Sequence, residues 1–448
     1  MSSLISQKII QFIYQLLLPL MLIVLAPGQV LKMIRRKDTT GSIVQRLGFF
    51  SHLGIRTLAA KKNGLWIHAV SVGEVNIAVR LIREWLKRYP SLPILLTTTT
   101  NTGYAVAQNQ LGSTVGILFN PIDFLPVVRK FLKLLQPRLI VLVESELWPN
   151  CIWEAERQAI PVALVNARVS RRSEKRYRLF LPIIKPLYEK ISIICAQNEN
   201  DAERLIRLGA RPESLRVVDS MKFDVSEVHE TKNANIYELL QQAGFPSDAI
   251  ILLGGSTHPG EEEILSDIYR DLAPAHPKLR LVLVPRHFER CNSLARRLGK
   301  KGFRVVLKKQ ILKTAKKQIK ETDILIVDTT GELKHFYSIS HITFVGKSLL
   351  GRGGQNFLEP VQFCHPVIVG PHMDNFSELT AYFLKNDALI QVRDAKQLKT
   401  AITRCLQDPK YGEKIASNAV SLFHRRLGAT GRTILALDPL VTAALPNN

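Results

Sequence analysis

The chain has 448 residues, too many for one ordinary hydrophobic core, and its 46% hydrophobic and 22% charged residues exclude an intrinsically disordered protein. A formal net charge of +23 indicates an anionic partner, such as a membrane surface, a phosphorylated substrate or nucleic acid. The five cysteines are scattered without CxxC pairs, which argues against a disulfide framework and against a zinc site.

The N-terminal region has the features of a membrane anchor. Residues 9–31 carry no charged side chain and are long enough to cross a bilayer. Arg35, Arg36 and Lys37 follow this segment and only Lys8 precedes it, so the positive-inside bias predicts a catalytic body on the cytoplasmic side. A helix that lies in the membrane interface, or packs on the protein, is the alternative. In either case the basic body would face anionic headgroups, and this makes nucleic acid the weaker interpretation.

Beyond the anchor at residues 1–38, short apolar runs alternate with amphipathic stretches. Runs such as RLIVLVES at Arg138–Ser145 and RLVLVP at Arg280–Pro285 are rich in Val, Ile and Leu, which is typical of parallel strands buried on both faces. Two such series predict two doubly wound, Rossmann-like α/β domains at residues 39–220 and 221–448. In folds of this kind ligands bind beyond the carboxyl ends of the strands, so two such domains facing a cleft would place their strand ends around it.

The first strand end with chemical interest is the turn Ser71–Glu74. Ser71 and Glu74 match a helix-capping box, which is the structural interpretation of this glutamate. The functional interpretation is that Glu74 accepts a proton from a substrate hydroxyl. The sequence around this turn leaves both interpretations open.

A second strand end carries two further acids, Glu144 and Glu146. Strand alternation would point both carboxylates to the same side. Downstream, Arg168, Arg171 and Arg172 begin a strongly basic stretch, and guanidinium groups suit phosphates and carboxylates. Solvated loop acids and an exposed basic helix are the respective alternatives.

The second half of the chain repeats this arrangement of polar residues after apolar runs. Gly351, Gly353 and Gly354 precede a helix predicted to begin near Phe357, and such turns present backbone N–H groups to phosphate. Glu359 is suitably placed to bind ribose hydroxyls. No P-loop, G-x-G-x-x-G, H-E-x-x-H or G-x-S-x-G motif is present, which argues against an NTPase, a dehydrogenase, a zinc protease or an α/β-hydrolase.

Taken together, these turns resemble the lipopolysaccharide Kdo (3-deoxy-D-manno-octulosonic acid) transferase family of GT-B-type glycosyltransferases. The matching segments run in the family's order and cover nearly the whole chain after the anchor. They are SVGE at Ser71–Glu74, ESELWPN at Glu144–Asn150, NARVSRRS at Asn166–Ser173, MKFD at Met221–Asp224, STHPGEEE at Ser256–Glu263, PRH at Pro285–His287, DTTGEL at Asp328–Leu333 and GGQNFLEP at Gly353–Pro360.

The resemblance implies an inverting transfer of Kdo from CMP-Kdo to a lipid A precursor of the lipid IVA type, in lipopolysaccharide core biosynthesis at the cytoplasmic face of the inner membrane. It implies that Glu74 is the general base and that Glu144 and Lys222 stabilise the transition state. The implied CMP-binding residues are Pro285, Arg286, Thr330, Gly331, Glu332, Asn356, Phe357, Leu358 and Glu359. Neither a metal nor another cofactor is expected, and Arg168, Arg171 and Arg172 are candidates for acceptor binding.

The chain departs from the family pattern at two positions. GGSL and HNPLEP are usual where this chain has Gly346–Leu349 and Gln355–Pro360. Lys347 adds charge near the predicted phosphate loop, and Phe357 replaces a proline expected to start the helix. The alternative functions are a lipid A disaccharide synthase-like enzyme, a UDP-sugar epimerase and a non-enzymatic adaptor that binds phospholipids.

Overall fold

The computed structural model describes residues 10–18, 40–112, 114–224, 231–313, 319 and 321–443. The chain divides into two compact units. Unit 1 comprises residues 1–224 and 427–448, and unit 2 comprises residues 225–426. Each unit is described by itself.

Unit 1 is built on a parallel sheet with helices on both faces. Its described strands lie in the order β3-β2-β1-β4-β5-β6-β7. The strands are β1 (Leu65–Ala69), β2 (Ile94–Thr98), β3 (Gly116–Phe119), β4 (Leu139–Val143), β5 (Val162–Ala167), β6 (Ile193–Ala196) and β7 (Leu215–Val217). The helices are α1 (residues 10–18), α2 (Thr40–Arg46), α3 (His52–Ala60), α4 (Val72–Arg88), α5 (Asn101–Leu111), α6 (Leu125–Leu135), α7 (Pro149–Arg157), α8 (Arg171–Leu179), α9 (Leu181–Glu189) and α10 (Glu199–Arg207), with a 3-10 helix at Pro212–Ser214.

Unit 2 repeats this architecture, with its described strands in the order β10-β11-β9-β8-β12-β13-β14, all parallel. The strands are β8 (Ile250–Thr257), β9 (Leu279–Pro285), β10 (Val305–Leu307), β11 (Ile324–Ile326), β12 (Ile342–Val345), β13 (Val367–Val369) and β14 (Ile390–Gln391). The helices are α11 (Thr231–Gln242), α12 (Glu261–Leu272), α13 (Cys291–Lys300), α14 (Lys308–Lys313), α15 (Leu333–Ser338), α16 (Leu358–Val361), α17 (Ser377–Lys385), α18 (Ala395–Gln407) and α19 (Pro409–Arg425), with 3-10 helices at Phe288–Arg290 and Asp374–Phe376.

Alternation along the strands explains why each sheet is covered on both faces. On β4, Ile140 and Leu142 belong to one hydrophobic cluster, whereas Leu139, Val141 and Val143 belong to the cluster on the opposite face. Successive side chains of a strand point to opposite sides of the sheet, so an uninterrupted apolar strand needs a helical layer on each side. The predicted pair of doubly wound α/β domains is confirmed.

The C-terminal helix α20 (Ala429–Ala443) belongs to unit 1. Leu437 and Val441 are fully buried in the hydrophobic cluster that also contains α4. The Asp224 carboxylate accepts hydrogen bonds from the N–H groups of Gly428 (2.7 Å) and Thr430 (2.5 Å) at the start of this helix. The sequence-based assignment of residues 427–443 to the second domain therefore does not match the division of the structure, because their apolar face packs against α4.

The first described helix, α1, packs against the rest of unit 1 through Tyr14. The Tyr14 ring meets Trp153 edge-on at 5.5 Å, and its hydroxyl donates to Asp123 at 3.1 Å. Asp123 also accepts the N–H groups of Asn150 and Cys151, and thus supplies the cap that α7 lacks locally. Burial raises the pKa of the Asp123 carboxyl to about 7.

The predicted membrane anchor at residues 9–31 lies mostly outside the described residues, since only residues 10–18 of it are described. Within the described part of the chain, no helix has both the length and the apolar character needed to cross a bilayer. Phe12 and Leu16 of α1 are strongly exposed.

Replacement of Leu437 by alanine tests whether α20 is part of the unit 1 core. Removing a fully buried leucine side chain should lower the free energy of unfolding by about 2–5 kcal/mol, because it leaves a cavity against α4. Leu435→Ala is the matched control, because Leu435 is 62% exposed on the same helix and should change stability by no more than about 0.5 kcal/mol. Equal effects in denaturant unfolding would mean that α20 is not packed in this way.

Candidate functional site

The candidate catalytic residues of unit 1 lie at the point where its strand order reverses. Strands β1 and β4 are neighbours, but the chain continues from β1 towards β2 and from β4 towards β5. In doubly wound sheets a crevice opens at this switch point, beyond the carboxyl ends of the strands. Glu74 follows β1, and Glu144 and Glu146 follow β4.

Glu74 takes part in a helix-capping box. Ser71 is the N-cap of α4 and accepts the Glu74 N–H. The Glu74 carboxylate in turn accepts the Val70 N–H and the Ser71 hydroxyl, each at 2.8 Å. The helix-capping role of Glu74 is therefore confirmed. Both bonds hold its carboxylate at the switch point, so the capping role does not exclude a role as a proton acceptor.

The environment of Glu74 raises its pKa. The side chain is only 8% exposed, and loss of hydration is the largest cause of the shift. The bonds from Val70 and Ser71 favour the ionised form and oppose that effect, while the negative charge of Glu144 adds to it. A carboxyl group whose pKa is raised towards neutrality is a better proton acceptor than an ordinary glutamate.

Glu144 and Lys222 form an ion pair with an Nζ–Oε1 distance of 2.7 Å. Glu144 has a φ of 64°, a left-handed conformation that is costly for a residue with a β-carbon. Lys222 is positioned by Asn166, whose side-chain oxygen accepts the Met221 N–H at 3.0 Å. The structure thus brings together two residues that are 78 positions apart, and Asn166 is a positioning residue that the sequence analysis did not single out.

Glu146 is the most perturbed acid of this group. Its pKa is raised to about 7, first by burial and then by the negative charges of Glu74 and Glu144. The sequence places Glu146 at the strand end without indicating a catalytic role for it. Glu74, Glu144 and Glu146 therefore form a cluster of three carboxylates with Lys222 as the partner of one of them.

The equivalent switch point of unit 2 lies between β8 and β12. The Glu261 carboxylate ties these two strand ends together. One of its oxygens accepts the N–H groups of His258 and Lys347, both at 2.8 Å, and the other accepts those of Ser348 and Leu349, both at 3.1 Å. The N–H groups of this loop are thus bonded to the protein's own carboxylate.

The residues predicted to bind CMP follow the strands of unit 2. Pro285 is buried at the end of β9, and Arg286 is exposed directly after it. Thr330 and Gly331 are also exposed, after β11. Glu332 forms an ion pair with Lys308. Burial alone would raise the pKa of Glu332, but the bonds from Lys308 and Thr329 outweigh that effect and hold it below its ordinary value.

The predicted CMP-binding segment, residues 356–359 around the start of α16, contains two half-buried polar residues and two buried apolar ones. Asn356 accepts the Leu358 N–H and donates to Glu359, both at 3.2 Å. Phe357 is fully buried, and its ring packs edge-on against Phe383 at 5.2 Å. The side chains of Phe357 and Leu358 therefore belong to the core, and only their backbone groups are available to a ligand.

The three arginines predicted to bind the acceptor are not equivalent. Arg168 is half-buried, whereas Arg171 and Arg172 are exposed on the first turn of α8. Ser170 caps this helix by accepting the Ser173 N–H at 3.1 Å. Across the described residues no group of three or more His, Cys, Asp or Glu side chains is arranged to hold a metal ion.

Comparisons with known proteins match most of the chain to one family. The model of the 3-deoxy-D-manno-octulosonic-acid transferase (kdotransferase) family matches residues 42–225. The 3-deoxy-D-manno-octulosonic acid transferase of Haemophilus influenzae is 33% identical over 400 residues, which cover 89% of this chain and 91% of that protein. The enzyme of the same name from Bordetella pertussis is 31% identical over 397 residues, covering 87% and 90% of the two chains.

A solved structure with a similar fold is the UDP-GlcNAc 2-epimerase of Neisseria meningitidis bound to UDP-GlcNAc. It has a TM-score of 0.55 and 15% sequence identity, and the match covers 84% of this chain and all of that one. At this identity the similarity extends to the fold alone. The two parallel α/β sheets accordingly fit a GT-B-like two-domain fold.

The raised pKa of Glu146 predicts a pH-dependent contribution to stability. The pKa is about 7 in the folded chain against an ordinary 4.5. The contribution of Glu146 to the free energy of unfolding is therefore fully present below its ordinary pKa and is lost as the pH rises through 7. Between pH 5 and pH 8 the melting temperature of the wild type should fall more than that of Glu146→Gln.

The control for this experiment is Glu203→Gln, because Glu203 is exposed on α10 of the same unit. This variant should keep the wild-type dependence of melting temperature on pH. Parallel curves for the wild type and Glu146→Gln would contradict the assignment of the titration to Glu146.

Proposed function

This chain belongs to the Kdo transferase family, and we propose that it transfers Kdo from CMP-Kdo to a lipid A precursor of the lipid IVA type with inversion, using Glu74 as the general base. Membership of this family indicates that the chain is a glycosyltransferase that transfers Kdo in lipopolysaccharide biosynthesis. The acceptor, the stereochemistry and the roles of individual residues are our proposal.

The proposed role of Glu74 is supported by one observation, that hydrogen bonds within the protein occupy only part of the acceptor capacity of its carboxylate. An ionised carboxylate offers about four lone-pair positions, and the bonds from Val70 and Ser71 occupy two. The group is thus held in place and can still accept a proton. Its raised pKa supports the same role.

In the proposed reaction Glu74 takes the proton of an acceptor hydroxyl as the hydroxyl oxygen bonds to the anomeric carbon of Kdo. The bond between that carbon and the phosphate oxygen breaks, and CMP leaves with the electron pair. Attack on the face opposite the leaving phosphate inverts the anomeric configuration. Proton removal by a positioned base accelerates such a step by about 10²–10⁴-fold.

Glu144 and Lys222 would stabilise the charges that develop during this step. A carboxylate can face the positive charge on an oxocarbenium-like sugar, and an ammonium group can face the donor's carboxylate or the leaving phosphate. The 2.7 Å ion pair keeps both charges in fixed positions before the substrate arrives. Such preorganised charges need no rearrangement at the moment of reaction.

The CMP portion would be bound by the strand-end residues of unit 2. The exposed guanidinium of Arg286 suits a phosphate or carboxylate, and the half-buried Glu359 suits the ribose hydroxyls. Thr330, Gly331 and Asn356 add polar groups, and Glu332 with its partner Lys308 orders that turn. Phe357 and Leu358 would contribute backbone groups alone.

We further propose that the chain acts at the cytoplasmic face of the inner membrane. The excess of positive charge suits a surface of anionic lipids and a phosphorylated acceptor. Arg171 and Arg172 are exposed and would bind the acceptor phosphates together with Arg168. The exposed Phe12 and Leu16 of α1 suit an apolar environment next to the headgroups.

Glu74→Gln tests the assignment of the base. With CMP-Kdo and lipid A precursor as substrates, the turnover number should fall by about 10²–10⁴-fold, because glutamine cannot accept the proton. Glu84→Gln is the matched control, since the Glu84 side chain is 44% accessible on the same helix and pairs only with the exposed Lys87, and it should retain wild-type turnover. Thermal unfolding of both variants checks that the helix cap has survived.

The two outcomes against this proposal are distinct. A folded Glu74→Gln protein with near-normal turnover would exclude Glu74 as the base. If the wild type transfers no Kdo to the lipid acceptor, the proposed acceptor is wrong.

The double variant Arg171→Gln/Arg172→Gln tests the acceptor and membrane proposals. Each arginine near an anionic surface contributes about 1 kcal/mol, so binding to vesicles of phosphatidylglycerol should weaken by about fivefold per arginine. The Michaelis constant for the lipid acceptor should rise while that for CMP-Kdo stays unchanged.

The matched control is Arg393→Gln/Lys396→Gln, which removes the same charge from exposed positions of unit 2. It should bind these vesicles as the wild type does. Equal losses in both double variants would indicate a non-specific effect of net charge.

A further inference from the structure

Lys347 occupies a backbone position that disfavours lysine. It follows β12 at the switch point of unit 2, and its φ is 56°. This left-handed conformation suits glycine, because a β-carbon there approaches the neighbouring carbonyl oxygen. The preceding Gly346 lies so close to β8 that an added β-carbon would be 2.5 Å from the Thr257 Cα atom. The turn therefore has little freedom to relax around the lysine.

The backbone of Lys347 is held from two sides. Its N–H donates to the Glu261 oxygen that also accepts the His258 N–H, and both distances are 2.8 Å. Its carbonyl oxygen accepts the Gly354 N–H at 3.1 Å. The stem of the side chain passes beside Gly351, where an added β-carbon would lie 3.0 Å from the Lys347 Cγ atom. These contacts hold the strained residue in place.

The charge of Lys347 has no acidic partner among the ion pairs of the described residues, although the residue is half-buried. The acid bonded to the Lys347 backbone is Glu261, at the start of α12. Its carboxylate already accepts four backbone N–H groups. An anionic ligand would therefore supply the counter-charge that the described acids do not provide.

The other polar side chains near Lys347 include two histidines and a glutamine. The rings of His258 and His287 meet edge-on with centroids 5.7 Å apart, and the Gln355 amide lies 3.5 Å from the His258 ring nitrogen. Burial lowers the pKa of His258, and the charges of Lys347, His287 and Arg290 lower it further, against the opposing charge of Glu261. The Glu261 carboxylate is occupied by four backbone N–H groups, and Arg290 is paired with Glu262, so Lys347 remains a cation without an acidic partner among the ion pairs of the described residues.

We propose that Lys347 binds an anionic group of the sugar-nucleotide donor, either the phosphate of CMP or the carboxylate of Kdo. This inference rests on the proposed function, because it assumes a CMP-linked acidic sugar as the donor. Ligands bind at switch points of doubly wound sheets, and a lysine ammonium is a common partner of phosphate. Strained residues that the surrounding structure holds in place concentrate at ligand-binding positions.

Binding measurements with the full chain test this proposal. Lys347→Gln removes the charge with little change in side-chain size, Lys347→Arg keeps the charge, and Lys396→Gln removes one charge from an exposed position of unit 2. The affinity for CMP and for cytidine is measured by calorimetry, and the Michaelis constant for CMP-Kdo by the transfer assay. Melting temperatures report on the fold.

If Lys347 binds the phosphate, Lys347→Gln weakens CMP binding by roughly tenfold or more and leaves cytidine binding unchanged. If it binds the carboxylate, CMP binding is unchanged and the Michaelis constant for CMP-Kdo rises by a similar factor. In either case Lys347→Arg retains most of the wild-type affinity, and Lys396→Gln retains all of it.

Lys347→Gly separates binding from stability. Glycine suits the φ of 56°, so the melting temperature of this variant should equal or exceed that of the wild type although its donor affinity falls. Wild-type donor affinity in both Lys347→Gln and Lys347→Gly would overturn the proposal, as would equal losses in Lys347→Gln and Lys347→Arg. A wild type that binds neither CMP nor CMP-Kdo would instead overturn the proposed function itself.

Discussion

The constraint on which both units depend is a glutamate carboxylate at the start of the helix that follows their central strand. In unit 1 this is Glu74, after β1, and in unit 2 it is Glu261, after β8. Both carboxylates accept backbone N–H groups and so fix the turn at the switch point. All four lone-pair positions of Glu261 are used by N–H groups, whereas two of those of Glu74 remain. The same position in the fold therefore serves as a structural tie in one unit and as a candidate base in the other.

A second shared feature is the left-handed backbone at these strand ends. Glu144 and Asn166 in unit 1, and Ser256 and Lys347 in unit 2, all have φ between 51° and 64°. The pairing of β5 with β6 shifts register at Asn166, and that of β8 with β9 shifts register at Ser256. Such irregularities interrupt the hydrogen bonding between strands and change the direction in which side chains point. In unit 1 the result is that Asn166 holds the turn that carries Lys222 to Glu144.

The sequence predicted the fold class and the strand ends because local patterns determine them. Uninterrupted apolar runs require two covered faces, and the capping box at Ser71 and Glu74 is a local arrangement of side chain and backbone. The packing of α20 could not be predicted, since it depends on contacts with α4, more than 300 residues away. The burial of Phe357 depends in the same way on Phe383. The large rise in the pKa of Glu146 depends on how two strand ends are placed relative to each other, and no single segment of the sequence contains both.

That placement also decides where a proton resides in the three-carboxylate cluster. Lys222 offsets the charge of Glu144, so the remaining repulsion acts mainly between Glu74 and Glu146. Two acids that repel each other in poorly hydrated surroundings ionise one at a time. The ionised form of Glu74 is stabilised by the Val70 N–H and the Ser71 hydroxyl, whereas burial and the neighbouring carboxylates raise the pKa of Glu146 to about 7 against the opposing hydrogen bond from the Trp148 side chain. The shared proton therefore favours Glu146 and leaves Glu74 ionised, which is the state that a general base requires.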